Sequence, residues 1–348
     1  MTNKIWVYLD QFKGKISPAS WEAIGAATQL SKEFGGGITA LVFGKGVEEI
    51  AQEAILFGAS EVLLAEDDTL IDFRPEPYSS LLAKLAAEQQ PEVILLPDTT
   101  RGRDLAAMVS IDLKTGVIPD VIALEVSAGE ITATRAVYSG KLISKVKCTA
   151  RPYIITLRLR TFSKPESDDG RKGVITRVSI AVAEENIPSK VKEYIRGEGS
   201  VSLTEANVIV AGGRGMVNRP TLTPPAEIRG DKEVDKWRTQ QGFKLISELA
   251  ETLGGAAGAS RAVVDPGYVA YEHQIGQTGK VVSPNLYIAC GISGAIQHLA
   301  GMRSSKVIVA INRDANAPIF QSARFGVVGD LFDILPPLNA AMRKRLGK

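Results

Sequence analysis

The feature that most constrains this chain is a rhythm that occurs twice along it. Short, mostly apolar runs alternate with longer stretches whose apolar residues recur at helical spacing. In the first half the runs are residues 5–9 (IWVYL), 38–43 (ITALVF), 61–65 and 93–96. A run without polar alternation has no face to offer water, so it belongs in a sheet covered on both sides. Between the runs, residues 20–34 set Trp21, Ile24, Ala27 and Leu30 on one helical face, and three glycines at 35–37 end that helix. Residues 47–57, 78–89 and 101–112 also read as helices. This βαβα order predicts a parallel sheet with helices on both faces.

After Thr115 the rhythm changes. Residues 118–124, 131–137, 142–146 and 153–159 read as strands with short turns at Ala128-Gly129 and Ser139-Gly140, an antiparallel addition to the first domain. Residues 163–205 are rich in charge, Gly, Pro and Ser and mark the domain boundary, with 174–183 as a last strand of the first domain. The second alternation starts with a strand at 208–211 feeding Gly212-Gly213-Arg214-Gly215. A helix at 242–253, strands at 262–264, 286–290 and 307–311, a helix after Ser293 and a last helix near 339–346 complete it. The expected fold class is α/β, with two domains, each a mainly parallel doubly wound sheet, the first with added antiparallel strands. The expected boundaries are 1–195 for the first domain, 196–205 for a hinge linker, 206–332 for the second domain and 333–348 for a C-terminal helix.

Charge and cysteine content exclude several function classes. Lys plus Arg number 41 against 39 Asp plus Glu, a net charge of +2, so no broad basic footprint points to nucleic acid. The two cysteines, Cys148 and Cys290, cannot supply a zinc or iron–sulfur ligand set and read as buried hydrophobes in a reducing compartment. No stretch approaches the ~20 apolar residues that span a bilayer, and the N-terminus has neither a signal core nor transit-peptide character. The expectation is a cytoplasmic protein without membrane insertion.

Neither a GxxxxGK[ST] loop nor a GxGxxG after the first strand is present. The informative stretch is 258–331, where glycines and hydroxyl residues recur at strand ends. A doubly wound sheet binds its ligand beyond those ends. The turn Gly291-Ile292-Ser293-Gly294 lies between a strand and a helix, where backbone N–H groups can face a phosphate. The residues alone thus imply a phosphorylated or dinucleotide ligand on the second domain. Taken singly, each has a plainer reading. GGRG serves as a tight turn, a lone His298 as a structural histidine, and Arg261 as an ion-pair arginine. Thr278 serves as a turn residue and Asp330 as a helix cap. Arg101 and Arg103 read as a solvated helix start, and His273 as a surface or loop residue.

The string GQTGK…SPNLYIACGISGAIQHLAGM…AINRDANAPIF…GVVGDLF resembles the FAD-binding half of electron-transfer flavoprotein alpha subunits. PDTTRGRDLAAMVSIDLKTG and TRAVYSGKLISKV resemble the family's first half more loosely. The resemblance implies FAD held by Ser293, Gly294, Ala295, Ile296, Gln297 and His298 at the pyrophosphate. His298 would donate to the flavin O2 region, stabilising the negative charge gathered there on reduction and raising the potential. Thr278 would face flavin N5 and Arg261 would lie against the isoalloxazine, with Ser260, Ile275, Gly276 and Gln277 completing that wall. Asn312, Asp330 and Leu331 would meet the adenosine end, and Arg214 would lie near the cofactor.

The resemblance also implies partners: a smaller beta subunit, an acyl-CoA or other dehydrogenase as donor, and a quinone oxidoreductase or ferredoxin-linked acceptor. It implies outer-sphere electron transfer, as in fatty acid β-oxidation, by a second domain that swivels on its linker, with no residue acting as nucleophile or general base. One alternative is an electron-bifurcating complex that oxidises NADH with a second FAD in the beta subunit. Another, of a different class, is a non-redox adenine-nucleotide binding module. The chain departs from the family pattern between Arg214 and Phe243, where MVNRPTLTPPAEIRGDKEVDKWRTQQ replaces a short connection and reads as a surface loop or a partner-docking element. Residues 115–126 and 322–325 depart as well.

Overall fold

A computed structural model of the chain describes residues 4–138, 140, 142–194, 202–219 and 222–348. The chain divides into two compact units, Met1–Val137 with Lys141–Tyr194, and Ile195–Lys348 with Tyr138–Gly140. Most of the expected linker at 196–205 and Ser139 of the expected turn lie outside the described residues.

The first unit holds strands β1 (Ile5–Tyr8), β2 (Gln11–Phe12), β3 (Lys15–Ile16), β4 (Ile38–Gly44), β5 (Glu61–Glu66), β6 (Val93–Pro97), β7 (Val117–Ser127), β8 (Glu130–Val137), β9 (Leu142–Val146), β10 (Tyr153–Leu157) and β11 (Val174–Arg177). Its helices are α1 (Pro18–Phe34), α2 (Glu48–Leu56), α3 (Pro75–Gln89) and α4 (Thr100–Asp112). Nine strands form one sheet in the order β11-β5-β4-β1-β6-β10-β7-β8-β9, and β2 and β3 make a small separate hairpin. Every pairing from β11 to β7 is parallel, while β7–β8 and β8–β9 are antiparallel. Side chains alternate across the sheet. Ile5 and Val7 join Ile24, Ala27 and Leu30 of α1 on one face, and Trp6 and Tyr8 join Tyr78, Leu82 and Leu105 of α3 and α4 on the other.

Three expectations for this unit are corrected. Residues 153–157 are not part of the antiparallel addition. They form β10, a parallel strand between β6 and β7. The physical reason is in the run itself: YIITL is buried at every position, which requires cover on both faces. The last strand stops at Arg177 and forms the edge beside β5. Finally, Arg101 is not a solvated helix start. Its Nε lies 2.7 Å from Oδ1 of Asp10, a carboxylate with no exposure at the end of β1. Arg103 stays exposed, 3.9 Å from Asp98.

The second unit holds β12 (Val208–Gly212), β13 (Ala256–Ser260), β14 (Gln274–Ile275), β15 (Leu286–Cys290), β16 (Val307–Asn312) and β17 (Phe325–Val328), all parallel, in the order β14-β13-β12-β15-β16-β17. Its helices are α5 (Asp231–Thr252), α6 (Arg261–Val264), α7 (Ile296–Met302) and α8 (Leu331–Leu346). One core joins Ile209, Tyr287 and Ala289 to Met302 of α7; the other joins Val210 and Cys290 to Ile246 of α5 and Leu335 of α8.

Here too the structure revises the expected elements. Residues 262–264 are not a strand but lie in the helical turn α6; the strand is the small-residue run AAGAS before it. Helix α5 starts at Asp231 rather than 242, so the last part of the inserted segment, from Asp231 on, is helix. Helix α8 starts at Leu331, well ahead of 339, because Asp330 caps it and the chain carries Pro336 and Pro337 through its middle. A proline pair lacks two helix donors and resembles a stop in sequence. Among the described residues, no helix is long and apolar enough to cross a membrane.

Candidate cofactor cleft

The strand order of the second unit reverses between β12 and β15, which pair directly while their successors run to opposite sides. A crevice forms beyond strand C-termini at such a point. The structure has one there, a cleft of about 1010 Å³ lined from the ends of all six strands: Ile275, Ser260 and Asn312 as the last residues of β14, β13 and β16, and Arg214, Gly291 and Gly329 just after β12, β15 and β17. That is the size of a site for a large organic ligand.

Its floor is backbone. Gly215 N–H donates to the Gly291 carbonyl at 2.9 Å, and Gly213 N–H to that of Cys290 at 2.9 Å. A Cβ on Gly215 would stand 2.6 Å from the Gly291 Cα, and Gly291 itself takes φ 61°. The GGRG and GIS turns therefore meet main chain to main chain, which only glycine permits.

One wall comes from β13, β14 and α7. Gln277 N–H donates to the Gln297 carbonyl at 2.8 Å, tying the loop after β14 to the start of α7. Thr278 is held at both ends: its hydroxyl accepts from Gln274 Nε2 at 3.2 Å and its carbonyl from the Tyr271 hydroxyl at 2.9 Å. Arg261 is exposed in the cleft and pairs with Asp265 one turn on, at 2.8 Å. His298 is buried at 7 % exposure; its Nε2 lies 3.0 Å from the Tyr287 hydroxyl, and its ring also meets the Ile275 backbone. Burial pushes the His298 pKa down to about 4, with the Ile275 backbone pulling the other way, so the imidazole is neutral near pH 7.

At the other end, Asn312 donates to the Ile292 carbonyl at 2.9 Å and accepts from Asp314 N–H at 3.0 Å. Asp330 caps α8 by accepting from Phe332 N–H at 2.9 Å, and Arg219 and Arg313 approach its carboxylate at 3.4 and 3.8 Å.

Of the residues singled out in sequence, all but Gly294 and Ile296 line this cleft. Gly294 is turned into the protein, where a Cβ would stand 2.4 Å from Ile319 N. Ile296 is 60 % exposed. His273 sits in a turn but is not a surface residue: it is half-buried, with Nδ1 2.9 Å from the Ala257 carbonyl and its ring edge-on to Phe243. Sequence reading missed Arg219, Asp235, Arg238, Asp265 and Arg313, which also line the cleft. The Arg261/Asp265 spacing of i,i+4 was a usable signal; Asp235 and Arg238 were hidden by the misplaced start of α5.

The comparisons with known proteins bear on what this cleft holds. Residues 5–183 match the electron transfer flavoprotein domain, and residues 236–303 match the electron transfer flavoprotein FAD-binding domain. An electron transfer flavoprotein subunit alpha of Thermoanaerobacterium thermosaccharolyticum is 39% identical over 98% of this chain and 98% of its own length. That of Bacillus subtilis is 38% identical over 99% and 98%, and protein FixB of Azotobacter vinelandii is 37% identical over 99% and 92%. This chain belongs to the electron transfer flavoprotein alpha-subunit family.

FAD is the cofactor of the family's FAD-binding domain, and the residues of the cleft suit it. The volume accommodates a dinucleotide. Arginines 214, 219, 238, 261 and 313 on its walls favour a diphosphate. The neutral imidazole of His298 borders the same cleft. Among the described residues no cluster of His, Cys, Asp and Glu could hold a metal.

Proposed function

We propose that this alpha subunit pairs with a smaller beta subunit and carries electrons from dehydrogenases, acyl-CoA dehydrogenases among them, to a quinone oxidoreductase or another downstream acceptor. The setting is fatty acid β-oxidation in the cytoplasm. Bound FAD supplies the redox chemistry through its isoalloxazine ring. The chain's own residues position it and set its potential. Arg261 and Ser260 form the wall against the ring, the Thr278 hydroxyl faces N5, and His298 presents a neutral imidazole toward O2. Ser293, Ala295 and Gln297 face the pyrophosphate, and Asn312, Asp330 and Leu331 the adenosine. The 196–205 segment serves as the hinge on which the second unit moves between partners.

The observation that carries this reading is the convergence of Arg261, Thr278 and His298 on one wall of a dinucleotide-sized cleft. A site built only for an adenine nucleotide has no use for that wall, which disfavours the non-redox alternative. The comparisons do not favour the bifurcating one. The test is a flavin and nucleotide count on the chain purified with its beta subunit. One FAD with AMP per heterodimer is expected. Two FAD and no AMP would move the assignment to bifurcation, and no flavin after reconstitution would sink it.

A further inference from the structure

Among its described residues, both ends of the segment between Arg214 and Phe243 reach the cleft. Val217, Asn218, Arg219, Asp235 and Arg238 all line the cleft. Asp235 and Arg238 are both half-buried, and their i,i+3 spacing on α5 puts them on one helical face. One turn further along that face is Gly242, where a Cβ would stand 2.8 Å from the Met216 Cβ and 3.2 Å from the Phe332 ring. That close approach seats α5 against the Arg214–Met216 turn and the start of α8. Gly242 thus meets Phe332, two residues from Asp330, and the two turns of α5 before it supply Asp235 and Arg238 to the cleft lining. Arg238 Nε donates to the Leu222 carbonyl at 3.2 Å, which fixes the side chain along the wall. Arg219 closes the same corner, stacking over Phe332 at 5.3 Å and reaching Asp333 at 2.8 Å.

We infer that the two ends of this segment wall the cofactor cleft, and that Asp235 and Arg238 grip the AMP portion of FAD. The inference rests on the reading above, in which the flavin lies at the β13–β14 end and the adenosine at the β16–β17 end. The chemistry suits the pair. A carboxylate accepts from ribose hydroxyls, as the acidic residue of dinucleotide folds does, and a guanidinium donates in a fixed fork to phosphate oxygens. The segment thus acts on how the cofactor is retained and not on which protein docks.

The test compares FAD with FMN, which lacks the AMP portion. The heterodimer is stripped of flavin, and dissociation constants for both are measured by flavin fluorescence for the parent, Asp235→Asn and Arg238→Gln. Melting of the stripped proteins reports folding. The expected result is FAD binding weakened about tenfold or more in each variant, with FMN binding and the melting temperature unchanged. Asp235→Asn is isosteric and keeps the test open should Arg238→Gln disturb the Leu222 contact. Unchanged FAD binding in both variants, or equal loss of FAD and FMN, overturns the inference. Failure of the parent to bind FAD at all would overturn the underlying reading instead.

Discussion

His298 lines the cleft as a buried side chain whose state is set by its surroundings. Its burial makes it a neutral imidazole, bonded to the fully buried Tyr287 hydroxyl. It therefore brings a dipole to the cleft, not a full charge. In the proposed role, replacing it with alanine would remove one hydrogen-bond donor from the charge that reduction puts on the flavin. A hydrogen bond to a charged group contributes about 1.5 kcal/mol, roughly 60 mV for one electron. His298→Ala is expected to lower the flavin potential by about that amount in a redox titration; a variant that titrates like the parent would show that His298 does not act on the ring.

The same burial predicts a pH dependence. The folded-state pKa, about 4, lies below the unfolded value near 6.5. Above pH 6.5 the histidine is neutral in both states and its contribution is fully present. As pH falls from about 6.5 to about 4 the unfolded chain takes up a proton that the folded one does not, and stability is lost, on the order of 3 kcal/mol at the limit. Denaturant melts of the second unit over that range should show the slope, and His298→Gln should flatten it. An unchanged slope in the variant would assign the effect elsewhere.

At the scale of elements, two contacts decide how helices are set on their sheets. In the first unit, Arg101 at the start of α4 reaches the buried Asp10 carboxylate beyond β1. Removing one member of a buried pair strands the other, typically at a cost of 3–5 kcal/mol. Arg101→Ala should therefore destabilise the first unit by about 3 kcal/mol or more in chemical denaturation, whereas Arg103→Ala, at an exposed position, should change little. Equal effects would refute the distinction. In the second unit, Asp330 both caps α8 and draws Arg219 and Arg313 to the cleft. Asp330→Ala should cost about 1 kcal/mol of stability for the cap, read from the shift in urea midpoint, and should weaken FAD binding as well. Asp330→Asn should restore the cap but not the ion pairs, which separates the two roles.

For the whole molecule, each unit has its own pair of cores on the two faces of its own sheet. The cleft belongs to the second unit. A ligand that binds only the folded state stabilises what it touches by mass action, by about 2.7 kcal/mol at a hundredfold excess over its dissociation constant. Calorimetry of the heterodimer with added FAD should therefore move the transition of the second unit upward and leave that of the first in place. A single transition that shifts as a whole would mean that the two cores unfold together.

The sequence by itself determined the two α/β units and the parallel sheets, because buried strands and amphipathic helices write their periods directly into the order of apolar residues. It determined most of the cleft for a related reason: in a parallel sheet every strand ends on the same edge, so residues after strands converge whatever their distance along the chain. Tertiary structure alone decided the rest. Whether YIITL pairs parallel or antiparallel depends on which neighbours cover it. Whether Arg101 is solvated depends on Asp10, ninety-one residues away. Where α5 and α8 begin depends on Gly242 packing against Met216 and on Asp330 capping past a proline pair. Asp235 and Arg238 entered the cleft by that route, through a contact between elements that no local pattern records.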